Sequence, residues 1–237
     1  MKATTRCAPR WRRREPDVDS YTPTENTRIR RRPERGHYDR ALVHAILDEA
    51  LVCHVGFVAD GMPRVMPTTI VRIGDAVYLH GSPQNRMLTT LAAGAPACIT
   101  VTHVDAIVAG RSGFGCSVDY RSVVIYGHGE VVEGEDKAGV LDAVIESFLP
   151  GHRVRPYKAS EIGATLILRF PLDEVSAKVR DLGVKEVDGD YDLDLWAGVI
   201  PLHIVPGEIR DCPRLKPGIA TPDYAREYRG PARTAPA

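Results

Sequence analysis

PTTIVRIGDAVYLHGSPQNR, residues 67–86, decides how the rest of the chain is read. It divides into two β-rich runs joined by Gly74-Asp75, and the second run ends at His80-Gly81-Ser82-Pro83, where a helix is due to begin. Pro67 cannot donate to a β-ladder, so its strand belongs at an edge or a bulge. Ser82 is placed to cap the coming helix, Pro83 to occupy its first position and Gly94 to stop it. A helix start with hydroxyl and amide side chains and Arg86 in its first turn suits an anion such as phosphate.

Working back from this stretch, Asp60-Gly61 is a hairpin signal between VCHVGFV (52–58) and RVMPTTIVRI (64–73). Ahead of that hairpin, RALVHAILDEAL (40–51) has helical spacing behind Asp39 as a cap. Working forward, 96–110 reads as a strand, a turn at Asp105 and a short continuation. RSGFGCSVDY (111–120) is a loop, and RSVVIYGHGEVVEG (121–134) is the strongest strand of the chain. DKAGVLDAVIESFL (136–149) is an amphipathic helix. Strands come next at 164–172 and 174–183, then an acid-rich loop at 187–196 and short strands within 196–212. About seven short strands with three inserted helices lack the βαβ alternation of a parallel sheet. The fold expected is mainly β with peripheral helices, an α+β chain built on a closed or partly closed antiparallel barrel.

Of 237 residues, 43% are hydrophobic and 26% charged, a composition that supports a sizeable core. No apolar run approaches the roughly 20 residues of a membrane span. The N-terminus has no apolar signal region, and the five scattered cysteines form no CxxC pair, so a cytoplasmic location without disulfides or a zinc site is expected. The net charge is zero, but residues 1–35 carry eleven Lys or Arg against five acids. With few aliphatics, 1–35 reads as a solvated disordered tail rather than a nucleic-acid arm, 36–212 as the folded domain, and 213–237 as a Pro-rich tail.

The remaining motifs carry both plain and functional readings. Gly110-Arg-Ser-Gly113-Phe-Gly115 matches neither GxGxxG nor GxxxxGK[ST] and is read as a loop flanking a ligand or active site. The eight histidines show no HxxxH or HExxH spacing. His54 reads as a core or cleft histidine; His80 is open to a structural or a functional role. Arg86 and Arg121, with Ser82, Asn85 and Ser122, hold the donors that a phosphate dianion needs. Trp196 is either a core plug or an aromatic lid on a planar ligand.

Taken together, TRIRRRPERGHYDRALVHAILDEALVCHVGFVADGMPRVMPT (27–68), LHGSPQNRM (79–87), YRSVVIYGHGEVV (120–132), SAKVRD (176–181) and WAGVIPL (196–202) resemble the pyridoxamine 5′-phosphate oxidase-related superfamily. The branch most similar holds nitroimidazole-resistance and flavin-nucleotide-binding proteins. The resemblance implies an antiparallel Greek-key split β-barrel that binds flavin mononucleotide (FMN), a homodimer with FMN at the interface, and a small-molecule substrate, with no nucleic-acid or membrane partner. It implies that Pro67, Thr68, Thr69 and Ile70 line the flavin ring and that His80, Gly81, Ser82, Asn85 and Arg86 surround its phosphate. It further implies that Tyr120, Arg121 and Ser122 complete the site and that Trp196 lies near the ring. Met87 stands where the oxidase has lysine, the 196–212 segment lacks the substrate-gripping arginine and histidine, and Phe114-Gly115-Cys116 stands where relatives carry histidines. Pyridoxamine 5′-phosphate is therefore not the expected substrate. No catalytic residue is assigned; His80, Tyr120 and Cys116 are the candidate acids. The rival readings are a non-catalytic flavin sensor, and the same barrel holding a deazaflavin or haem.

Overall fold

Two turns with left-handed backbone start the barrel. Asp60 and Gly61 have φ of 53° and 72°, and they join β2 (Val52–Ala59) to β3 (Met62–Thr69) with Ala59 opposite Met62. This is the two-residue hairpin connection whose twist matches its strands. Gly74, at φ 61°, does the same between β4 (Val71–Ile73) and β5 (Ala76–Gly81). The computed structural model describes residues 20–230, and within them all paired strands are antiparallel.

Two sheets result. The larger runs β1 (Gly36–His37), β10 (Glu174–Arg180), β7 (Ser117–His128), β6 (Pro96–Ala109), β2 and β3, with β11 (Gly198–Pro201) added to β6. The smaller runs β4, β5, β9 (Leu166–Pro171) and β8 (Glu130–Val131). The chain changes sheet at Ile70, between β3 and β4, and at Gly129, between β7 and β8. A Cβ on Gly129 would stand 2.9 Å from the Phe170 ring, so this corner requires glycine. The architecture is the expected split barrel with helices at its periphery.

Alternation builds the core. Cys53, Val55, Phe57 and Ala59 of β2 and Val123 and Ile125 of β7 turn inward, with Val77 and Leu79 of β5 and Leu168 and Phe170 of β9 facing them. α1 (Arg40–Asp48) contributes Val43, Ile46 and Leu47, and α2 (Arg86–Ala92) contributes Met87, Leu88 and Leu91. On the far side of the smaller sheet, α3 (Asp136–Phe148) packs Val140 and Val144 on Tyr78 and Ile167. α4 (Ala159–Gly163) and α5 (Asp223–Arg226) are single turns at the surface.

Several expectations change in detail. Among the described residues eleven strands replace about seven, in part because runs that read as continuous change sheet. The run 64–73 is two strands in two sheets, broken at Ile70. Asp105 is a β-bulge within a 14-residue β6 rather than a turn. α2 begins at Arg86 with Asn85 as its cap; Ser82 and Pro83 belong to the preceding turn. Residues ahead of position 36 also pack on the barrel. Tyr21 is 4% exposed; its hydroxyl donates to Asp75 Oδ1 at 2.5 Å and lies 2.8 Å from His44 Nε2, while the Arg40 guanidinium sits 4.2 Å over its ring. The first nineteen residues of the basic tail, Cys7 among them, and the last seven of the Pro-rich tail lie outside the described residues.

Burial, reinforced by nearby Arg72, pushes the His44 imidazole below its ordinary pKa of 6.5. The unfolded chain therefore takes up a proton that the folded chain resists, and stability is lost as pH falls below 6.5. Thermal melts between pH 7.5 and 5 are expected to show this slope, and His44→Gln to flatten it. Tyr21→Phe is expected to cost about 1–2 kcal/mol by stranding Asp75 and His44, a melting-temperature drop of about 2–8 °C.

Candidate functional site

β3 is the last strand of the larger sheet and pairs only with β2 among the described residues, so its outer edge is open. Pro67, opposite His54, is tolerated for that reason. The β4–β5 ladder closes with Val71 opposite Tyr78 and goes no further, because the chain leaves one sheet for the other at Ile70. Beyond that point β3 and β5 part. By register, the opening past the end of this ladder has Pro67, Thr68 and Thr69 on its β3 side and His80 and Gly81 on its β5 side. Ile70 lies beneath it, 2% exposed in the core. The structure thus brings together the first two groups of residues singled out in the sequence.

The turn 82–85 forms one end of this opening. Asn85 N donates to the Ser82 carbonyl at 2.9 Å, and Ser82 Oγ accepts from Gln84 N at 3.2 Å. Asn85 Oδ1 accepts from Leu88 N at 3.2 Å, so that oxygen serves the helix cap. Gly81 lets α2 approach closely; a Cβ there would meet Leu88 Cδ1 at 3.0 Å. Arg86 reaches back to the β2–β3 turn and pairs with Asp60, and both side chains are more than half exposed. Such a pair contributes about 1 kcal/mol at most, and a phosphate dianion could displace Asp60 from it. Burial lowers the His80 pKa, so its imidazole is neutral at pH 7 and a poor acid.

Tyr120, Arg121 and Ser122 lie elsewhere. They sit on β7, three strands from β3, about 14 Å away at roughly 4.8 Å per strand. Tyr120 and Ser122 face outward. Arg121 faces inward and is 5% exposed, which corrects its assignment as a phosphate ligand. Its Nη1 and Nη2 donate to Glu49 at 2.8 and 3.1 Å, and its Nε and Nη2 donate to Asp105 at 3.0 and 2.8 Å. Four of its five N–H groups are therefore committed within the chain. Its hydrogen bonds to Asp105, joined by those to Glu49, hold its pKa above the ordinary arginine value. Glu49 was not singled out in the sequence, and Asp105 only as a turn. Nothing local marks them, since Glu49 is 72 residues away from its partner.

The glycine-rich loop holds an anion of its own. The Glu186 carboxylate accepts from the Arg111 backbone N–H, from Ser112 N at 3.0 Å and from Arg111 Nη1 at 2.9 Å. Burial alone would raise its pKa, but these donors hold it below the ordinary range. A Cβ on Gly110 would stand 2.6 Å from the Gly115 backbone, so the glycines let the loop close on itself. Cys116 lies against Gly110, with Gly110 N 3.4 Å from its Sγ. Trp196 is 69% exposed and packs beside Gly198 next to the far end of β6, so it is no core plug. Among the described residues, no helix is long and apolar enough to cross a membrane.

Residues 39–179 match the family model described as pyridoxamine 5′-phosphate oxidase. The structure of the FAD and haem binding protein from Mycobacterium smegmatis is 33% identical, with a TM-score of 0.81 over 84% of this chain and 100% of that one. The flavocytochrome Anf3 from Azotobacter vinelandii is 34% identical, with a TM-score of 0.82 over 88% and 99%. A candidate 5-nitroimidazole antibiotic resistance protein from Bacteroides thetaiotaomicron shares the fold at 24% identity and a TM-score of 0.52, over 60% and 84%. No curated protein matches the sequence.

Arg86 and Arg121, both expected at the phosphate, should separate in thermal denaturation. Arg121→Ala leaves two acids facing each other in the interior and should cost about 3–5 kcal/mol. Arg86→Ala should change stability by about 1 kcal/mol or less.

Proposed function

The chain belongs to the pyridoxamine 5′-phosphate oxidase family, and from that membership we propose that it is an FMN-binding redox protein whose flavin occupies the opening between β3 and β5. The observation that carries this reading is the open edge of β3 beside an arginine held only by an exposed ion pair. The donor set fits the group. Arg86 and the Ser82 hydroxyl hold the phosphate, with His80, Gly81 and Asn85 around it. Thr68, Thr69 and the free backbone edge at Pro67 offer polar contacts to a flavin ring, and Ile70 backs them with apolar surface. A bound flavin supplies hydride or electron transfer at its N5. The chain's part is to anchor, orient and shield. His80, neutral and half-buried, serves as a contact rather than as a proton donor.

Tyr120, Ser122 and Trp196 enter through a second copy. The outer face of the larger sheet exposes Val52, Val58, Val104, Ile107 and Val118, with Ile200 of β11 beside them. An apolar surface of this kind marks an interaction site, and Tyr120 and Ser122 lie on it. A homodimer through this face would place them, but not the inward Arg121, at a partner's flavin. Two specific observations favour a second reading in which the cofactors are FAD and haem: of two relatives near one-third identity, one is described as an FAD and haem binding protein and the other as a flavocytochrome, and His54 stands exposed on the same face with no hydrogen-bond partner among the described residues.

Protein purified from its host is expected to be yellow and to carry a flavin spectrum, and the released cofactor, resolved by chromatography, distinguishes FMN from FAD. Colourless protein that gains no absorbance with either flavin would sink the reading, and a sharp Soret band would move it to the haem-bearing form. Arg86→Ala is expected to weaken FMN binding by about tenfold or more, the loss of a charge-assisted contact. Oxidation of NADH or NADPH with varied acceptors separates an enzyme from a flavin carrier or sensor.

A further inference from the structure

We propose that Arg64 is a second phosphate-binding arginine of this site, closing on the same anion as Arg86; the proposal rests on the flavin reading above. Arg64 stands on the edge strand β3 opposite Phe57. Phe57 is 6% exposed and belongs to the core, so the register puts Arg64 on the inner face of its strand, the face that also carries Thr68 opposite buried Cys53. α2 packs against β2, the partner of β3, and its Met87, Leu88 and Leu91 belong to the same core as Phe57 and Ala59. Arg86, the first residue of α2, reaches Asp60 in the turn that comes after Ala59. Both cations thus lie at the β2–β3 hairpin: Arg86 pairs with Asp60 in its turn, and Arg64 stands four positions after Asp60 along the chain.

Arg64 differs from its neighbours in having nothing to answer its charge. Its Nε is buried and makes no hydrogen bond, and no carboxylate lies within ion-pair distance of it among the described residues. Arg72, on the next strand, is by contrast clasped by both oxygens of Asp48 at 2.7 and 2.6 Å. A cation whose stem is covered and whose donors are unspent costs free energy that a bound anion would recover. Two guanidinium forks facing one site suit the several oxygens of a phosphate dianion. The plain alternative is that Arg64 blunts an open sheet edge against pairing with other chains. That role would be indifferent to phosphate.

The test uses the full chain stripped of cofactor, with FMN and its phosphate-free analogue riboflavin as probes, read by fluorescence quenching. The wild type is expected to prefer FMN over riboflavin by more than tenfold. Arg64→Gln is expected to lose about tenfold or more in FMN affinity while its riboflavin affinity stays within about twofold. Arg64→Met, which keeps the apolar stem without the charge, should give the same selective loss and guards against a Gln variant that fails to fold. A wild type that prefers FMN beside variants that keep the full preference overturns the role of Arg64 alone. A wild type that does not distinguish FMN from riboflavin overturns the phosphate seat itself, and Arg64 with it.

Discussion

One charged cluster at the edge of the core sets the geometry of this barrel: buried Arg121 between buried Glu49 and part-buried Asp105. Glu49 is the C-cap of α1, Asp105 is the bulge of β6, and Arg121 lies inside β7. Burying such a cluster is costly, and its replacement by apolar groups is often neutral or stabilising, so its role is better sought in placement than in net stability. A bulge adds a residue to one strand and re-aims the side chains beyond it; the Arg121 fork holds the Asp105 carboxylate inward at that point. The backbone carbonyl of Asp105 accepts from Leu202 N at 2.8 Å, so the segment after β11 hangs from the same residue. Helix, sheet and C-terminal arm are registered by one contact set. It also fixes the phase of β7, which is why Tyr120 and Ser122 face outward.

This constraint explains which parts of the molecule could be read in advance. The hairpins at Asp60-Gly61 and Gly74-Asp75, the α1 helix capped by Asp39 and the inward alternation of β2 are written over spans of a few residues, where turn chemistry and periodicity act directly. The division of 64–73 between two sheets is not, because Val65 and Val71 look alike until their partners are known. The same is true of the polar network. Tyr21 meets Asp75 across 54 positions, and Glu186 meets Arg111 across 75; neither pairing leaves a local mark. Arg121 was legible as a significant cation but not as a buried one, since a strand-opening arginine after Tyr120 reads the same whether an anion is supplied by a ligand or by Glu49.

The candidate site was half legible for a related reason. Pro67 through Arg86 is contiguous, so the strand edge, the strand end and the helix start come together through one hairpin and one turn. The glycine-rich loop, read in the sequence only as a segment flanking a ligand or active site, has the composition of an anion cradle. It is one, but the anion is the Glu186 carboxylate, which leaves the loop tip to present Phe114, 97% exposed.

The opening itself arises from a single change of sheet. Once Ile70 turns the chain, β3 does not continue the β4–β5 ladder, and backbone donors and acceptors along the outer edge of β3 are left without a strand. An open edge of this kind invites pairing with another chain unless it is interrupted or covered. Pro67 interrupts it, Arg64 charges it, and a planar polar ligand would cover it. The features that protect the edge are thus the ones a flavin would use. Tyr120 and Ser122 stand three strands away on the outer face of the same sheet, about 14 Å from β3 at roughly 4.8 Å per strand, so they do not reach the opening of their own chain. If they act on a ligand there, they act on the ligand of a second copy, and the exposed valines and isoleucines around them are the surface through which that copy would be met.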